Sequence, residues 1–212
     1  MLPSILASQI ERGVKDFLQT TFTSSTPFFS HLLDDFLDNE SVFKGPYLSM
    51  ALPFRQGQTG CEAFDSFTLP FPPHLHQEKA FANLTGEQPK STIVATGTGS
   101  GKTECFLYPI LDHCLRHAGK PGIKAILIYP MNALATDQAE RFAKAIWNTP
   151  ELRGKVTAGL YVGQNEAEPT TVMGPDKVIT NKEAMRLSPP NILLTNYKML
   201  DYLLIRPTDA IL

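Results

Sequence analysis

The chain has 212 residues, 42% of them hydrophobic and 19% charged, with a net charge of −2, a pI of about 6.2 and a mean hydropathy of −0.11. These totals fit one folded α/β domain with an extension. They argue against a bulk basic field that would draw in a polyanion. No apolar run approaches the roughly 18 residues that a membrane-spanning helix needs, so no membrane partner is expected. Cys61, Cys105 and Cys114 show no paired spacing. An odd count of this kind points to a reducing compartment, and we expect a cytoplasmic location. "MLPSILASQIERGVKDFL" has no basic start, long apolar core or small-residue cleavage site, so no export signal is expected.

In chain order, Ile5, Ile10, Val14, Phe17 and Leu18 recur at helical spacing and predict an amphipathic helix over residues 4–19. "TPFFSHLLDDFLDN" (26–39) predicts a second, with Thr26 as N-cap and Pro27 at its first position. Residues 1–43 thus form a helical extension. Residues 44–73, with five prolines and several phenylalanines, form an irregular ordered connector rather than a Gly/Ser linker. "HLHQEKAFANLTG" (74–86) predicts a helix opened by His74 and His76.

From there apolar runs alternate with helical patterns. "STIVAT" (91–96), "KAILIYP" (124–130), "KVTAGLYVG" (155–163) and "NILLTN" (191–196) predict strands. Helices are expected over 102–117, 132–147 and 197–204, and Pro109 should kink the first of these. Short apolar runs, each followed by a helix, predict a parallel sheet buried on both faces. Residues 74–212 are therefore read as one α/β domain.

"VATGTGSGKTEC" (94–105) joins the first strand to its helix. The strict G-x-x-x-x-G-K-[ST] pattern fails at its first position, which is Thr96. The remainder, Gly97-Thr98-Gly99-Ser100-Gly101-Lys102-Thr103, keeps the chemistry. Glycines let backbone N–H groups turn toward phosphate oxygens, and the helix N-terminus adds partial positive charge. Lys102 can reach the β- and γ-phosphates, and the Thr103 hydroxyl can ligate Mg²⁺. A loop of this kind serves kinases, transporters, GTPases and helicases alike, so flanking segments must decide.

"LHQEKAF" places Gln77 nineteen residues before Thr96, and "IYPMNALATDQ" (128–138), "LYVGQ" (160–164) and "ILLTNYKMLDYLLIRP" (192–207) follow in order. With the loop itself these resemble motifs Q, I, Ia, the GG-type loop and Ib of superfamily 2 DEAD/DEAH-box helicases. "GPYLSMALPFRQG" (45–57) and "TNYKMLDYLLIRP" look more narrowly like large bacterial helicases that carry a C-terminal metal-binding region and are associated with DNA repair and anti-phage defence. The resemblance covers about residues 45–210 and implies a RecA-like first lobe using ATP and Mg²⁺.

By the same resemblance Gln77 would read adenine, and its amide does offer the matching donor and acceptor. Pro130, Asn132, Ala133 and Thr136 would touch the phosphates of one strand; Asn132 could equally be an ordinary helix N-cap. Gly163 resembles the glycine of the loop beside that strand, or is a plain turn. Thr195 and Asn196 resemble the start of motif Ib, or are a capping pair. Lys198 is either an added cation or an exposed helix lysine. A track of amides and hydroxyls of this sort grips a strand without a basic surface. The expected partner is nucleic acid, DNA before RNA, together with a second RecA-like lobe.

Hydrolysis also needs carboxylates for Mg²⁺ and for the attacking water. The resemblance places them on a strand ending in Asp-Glu, after motif Ib. Asp201 of "MLDY" and Asp34 and Asp35 of "HLLDDF" lie in helical patterns and do not qualify. We therefore expect a lobe cut short before motif II that holds ATP without turning it over. A binding-only module and a small-molecule kinase stand as alternatives. His113 and His117 share the i,i+4 spacing of helix metal ligands but have no third partner in sequence, and are expected to be ordinary helix histidines. Cys105 is expected on the core face of its helix.

Overall fold

A computed structural model describes residues 2–40, 44, 47, 52–86, 88–163 and 168–207. The chain divides into two compact units, residues 1–53 and 54–212. Residues 41–43, six of the thirteen residues of "GPYLSMALPFRQG" and Gln164 lie outside the described residues. In the first unit, α1 spans Pro3–Thr21 and α2 spans Leu32–Asn39. The expected single helix over 26–39 is broken, because Pro27–Phe29 forms a separate 3₁₀ turn. Gln19 Nε2 on α1 donates to Asp34 Oδ1 on α2 at 2.9 Å. The apolar stripe of α1 stays largely in solvent, with Phe17 60% exposed. No helix among the described residues is long and apolar enough to cross a membrane.

In the second unit, α3 spans Leu75–Leu84, α4 Glu104–Arg116, β1 Ala125–Tyr129, α5 Asn132–Asn148, β2 Ala158–Tyr161, α6 Lys182–Leu187, β3 Ile192–Asn196 and α7 Tyr197–Ile205. The three strands form a parallel sheet in the order β1-β3-β2. Tyr129 stands opposite Asn196, and Tyr161 opposite Thr195, so all three strands end at one edge. Alternate residues serve alternate faces. Leu127, Leu160, Ile192 and Leu194 join Phe142 and Ile146 of α5 and Leu111 of α4 in the main core. Tyr161 and Leu193 pack on the other face with Met185 of α6 and Met199 and Leu203 of α7. Helices on both faces explain why every residue of β3 is buried.

The stretch 54–73 is more than a connector. Phe64, Phe67 and Leu69 are buried in the main core, with Phe64 stacked on Phe67 at 5.2 Å and tilted against Phe81 of α3 at 5.0 Å. Backbone bonds from Gly57 N–H to Pro73 O and from Leu75 N–H to Arg55 O, both 2.8 Å, tie its two ends together. Cys105, expected on the core face of its helix, is fully buried, and so is Cys114. Burial lifts the Cys114 thiol to about 12, and burial followed by the charge of Glu104 raises that of Cys105.

One expected strand does not form. Residues 91–97 carry no ladder, and Ile93 is 95% exposed. β-Propensity supplies only about 1 kcal/mol across its whole range and acts through packing on neighbours. Among the described residues no strand lies alongside "STIV" to accept its N–H groups. The helix that follows begins at Glu104, so Lys102 and Thr103 sit in the turn before it. The segment Lys182–Leu187, which carries no expected element, is helical because Asn181 Oδ1 caps it by accepting from Ala184 N–H at 2.9 Å.

Two substitutions separate the strand that forms from the one that does not. Leu194→Ala, in the centre of β3, should cost about 2–5 kcal/mol in urea unfolding. Ile93→Ser should stay within about 0.5 kcal/mol of wild type in the same assay.

Candidate nucleotide and nucleic-acid sites

The loop at 96–103 is shaped by two left-handed glycines, Gly99 at φ +73° and Gly101 at φ +74°. Gly101 is constrained twice. A Cβ there would stand 2.5 Å from Gln77 Nε2 and 3.0 Å from Glu104 Oε2. Side chains hold the loop where no β-ladder does. Gln77, 2% exposed, accepts His74 N–H through Oε1 at 2.8 Å and donates through Nε2 to the Gly101 carbonyl at 3.0 Å. His76 Nε2 meets the Ser100 carbonyl at 2.9 Å, so this histidine does more than open α3. Thr96 and Ser100 join their hydroxyls at 2.6 Å. Lys102 Nζ donates to the carbonyls of Thr96 at 3.0 Å and Gly97 at 2.8 Å.

The loop lines a cleft of about 560 Å³ with Phe71, His74, Gln77, Thr98 and Arg141 among its walls. Phe71 is 39% exposed and supplies an apolar wall beside the loop. The composition suits a triphosphate: glycine backbone N–H groups, the Lys102 ammonium and the hydroxyls of Thr98, Ser100 and Thr103. Glu104, at the start of α4, has its Oε2 buried with no hydrogen-bond partner. Thr103 and Glu104 are therefore the two oxygen donors that a hard divalent cation would find here, which is the donor chemistry Mg²⁺ takes. Phe71, His76, Glu104 and Arg141 carry no signal in the sequence pattern. They reach the loop only through packing of residues 54–73, α3 and α5.

The remaining residues gather at the edge where the strands end. Pro130, Ala133, Thr136 and Gly163 are exposed and Asn132 is half-buried. Asn132 opens α5, and its Oδ1 accepts from Asn196 Nδ2 at 2.6 Å, joining the junction after β1 to the junction after β3. Asn196 caps α7, its Oδ1 accepting from Met199 N–H at 2.8 Å. The Thr136 hydroxyl turns back to the Asn132 carbonyl at 3.1 Å. Thr195 is fully buried, and its hydroxyl donates to the Tyr161 carbonyl at 2.7 Å. The place of Thr195 is thus under the surface, knitting β3 to β2. Lys198 is exposed, with its Nζ 6.0 Å from the ring of Tyr197. Gln77, Lys102 and Thr195 all belong to the second unit.

His113 and His117 lie ring to ring at 4.4 Å, with His117 Nδ1 against the His113 carbonyl at 2.8 Å. Among the described residues no group of three or more His, Cys, Asp or Glu side chains could hold a metal ion.

Removing the Thr195 hydroxyl tests its structural role. Thr195→Val should lose about 1–3 kcal/mol of stability, because the Tyr161 carbonyl keeps its burial and loses a donor. Chemical denaturation with an unchanged slope is the measurement.

A DEAD/DEAH box helicase family model matches residues 74–210. Among curated relatives, Druantia protein DruE of Escherichia coli is 44% identical over 79 residues, 34% of this chain and 4% of that protein. An uncharacterized ATP-dependent helicase of Methanocaldococcus jannaschii, MJ1574, is 31% identical over 138 residues, 65% of this chain and 18% of that protein. A putative DEAD-box ATP-dependent RNA helicase 29 of Arabidopsis thaliana is 34% identical over 87 residues, 41% of this chain and 10% of that protein. The chain thus spans less than a fifth of the length of each of these relatives. No solved structure matches. The family match covers well over half the chain and includes the loop, α5 and all three strands of a parallel, helix-flanked sheet that is RecA-like in architecture. The chain belongs to the DEAD/DEAH box helicase family.

Proposed function

We propose that this chain is the ATP- and nucleic-acid-binding first motor lobe of an ATP-dependent helicase or translocase, and that it binds ATP with Mg²⁺ without turning it over alone. The observation that carries the reading is the loop at 96–103, with Gly99 and Gly101 left-handed and Lys102 folded onto two of its carbonyls. An incoming triphosphate would offer Lys102 a stronger acceptor than either carbonyl, because a charge-assisted hydrogen bond is about twice as strong as one to a neutral group. Thr96, Gly97, Thr98, Gly99, Ser100 and Gly101 would supply backbone contacts, Thr103 would hold Mg²⁺, and Gln77 would use its remaining N–H and lone pair on adenine. Phe71, on the wall of the same cleft, would cover the base.

The absence of turnover rests on carboxylates. Glu104 is the one acidic side chain among the described residues lining the loop, and it pairs with Arg141. Hydrolysis asks for two, one on the metal and one on the attacking water.

The second half of the reading puts one nucleic-acid strand across the edge formed by Pro130, Asn132, Ala133, Thr136, Gly163 and Asn196. The first-turn N–H groups of α5 are open there, since Met131 gives no side-chain cap. Contacts of this kind fix a phosphate backbone and carry no sequence preference. Thr195 would act beneath them, holding β3 and β2 in register. DNA is our reading of the substrate, a cytoplasmic location our reading of the setting, and a second RecA-like lobe the partner that would close over both ligands.

Equilibrium binding of a fluorescent ATP analogue to the 212-residue chain tests this. Lys102→Ala should weaken binding about 10- to 100-fold, the range of one charged hydrogen bond. Binding of the wild type untouched by that change would sink the assignment of the loop. Steady-state hydrolysis by the purified chain, lost in Lys102→Ala, would sink the absence of turnover. Binding of a single-stranded DNA oligonucleotide should weaken with salt by a log–log slope of about 0.7 per phosphate neutralised. Because the residues proposed to line the edge are amides, hydroxyls and small side chains rather than cations, we expect a total slope below about 2.

A further inference from the structure

The cleft holds one basic side chain that the pattern of the loop does not contain. Arg141 projects from α5 and divides its fork between two neighbours. Its Nη1 donates to the Thr103 hydroxyl at 3.3 Å, and its Nη2 pairs with Glu104 Oε1. Thr103 is the hydroxyl expected to hold Mg²⁺, and Glu104 keeps a second oxygen, Oε2, buried and unpartnered. A guanidinium therefore stands on the two oxygen donors that a divalent cation would use. One hydroxyl oxygen cannot serve both at ligand distance, because the guanidinium and the dication repel each other across it.

We propose that Arg141 is a positioning residue that occupies the cation side of the loop in the nucleotide-free chain and exchanges with Mg²⁺ when the metal–nucleotide complex enters. The proposal rests on the nucleotide reading of the loop. In the free chain the guanidinium neutralises Glu104 and keeps the Thr103 hydroxyl aimed into the cleft. On exchange, Thr103 and the freed carboxylate face the metal, while Arg141, 43% exposed, swings toward solvent or phosphate. The fork geometry matters: a guanidinium can bridge hydroxyl and carboxylate at once, which a point-charge ammonium does less well.

The position of Arg141 on α5 gives the exchange a reach beyond the loop. The same helix opens at Asn132, bonded to Asn196 at the strand-facing edge. Nine residues of helix, about 13 Å, separate the two positions. Between them Ala135 and Ala139 are buried against the sheet side of the core.

The test compares the affinity of a fluorescent ATP analogue with Mg²⁺ and with the metal chelated. The readout is the ratio of the two affinities. Arg141→Gln should raise the magnesium preference about tenfold, since it removes the competing cation and frees Glu104 for the metal. Arg141→Lys should shift the ratio the same way by less. Lys144→Gln, one turn further along α5 and paired with Glu140, should leave the ratio unchanged. An Arg141→Gln chain weakened equally with and without metal would make the residue a plain phosphate ligand and overturn the exchange. An unchanged ratio would do the same, as would an equal shift in Lys144→Gln. If wild-type binding occurs and depends on Lys102, these failures fall on the exchange alone. Wild-type binding indifferent to Lys102 would overturn the nucleotide reading and the exchange with it.

Discussion

A buried amide fixes the loop at 96–103. Gln77 spends its oxygen on the first turn of α3 and one N–H on the carbonyl of Gly101, and Gly101 must be glycine because Gln77 lies where a side chain would go. His76 adds a second tie to Ser100, and Lys102 folds the loop on itself. The segment before the loop has no ladder to anchor it. Loop geometry is therefore a property of α3 and of residues 54–73 that fasten α3 in place. A polar group so buried must be satisfied or it destabilises the fold by about 1–3 kcal/mol. That constraint links a glutamine far upstream to the shape of the loop.

The strand-end edge follows from the parallel sheet. Strands running the same way end at the same edge, and the turns after them bring Asn132, Gly163 and Asn196 together. The Asn132–Asn196 bond and the buried Thr195–Tyr161 bond set the spacing of those turns. The edge is thus built in two layers, an exposed one of amides and small residues and a buried one that holds it in register.

α5 joins the two regions. Its apolar face, from Ala135 to Ile146, is buried in the main core. Its start meets Asn196 and its third turn presents Arg141 to Thr103 and Glu104. A packed helix moves as a body, since close-packed interiors transmit displacement rather than absorb it.

Periodicity and spacing in the sequence were enough for the strands after residue 120, the helices that follow the first and last of them, and the core face of Cys105, and motif resemblance was enough for the family. Each of these rests on local patterning: an apolar run, a 3.6-residue repeat, or glycines set around Lys-Thr. They were not enough for four things. "STIV" has the composition of a strand, yet a strand exists only where a neighbour completes its hydrogen bonds. Thr195 reads as a surface donor but is buried, because β3 lies in the middle of the sheet. His76 and Phe71 reach the loop through the fold of the preceding stretch. Arg141 reaches it from a helix 38 residues beyond Thr103. Contacts at such separations depend on which faces pack together, and only the tertiary structure decides that.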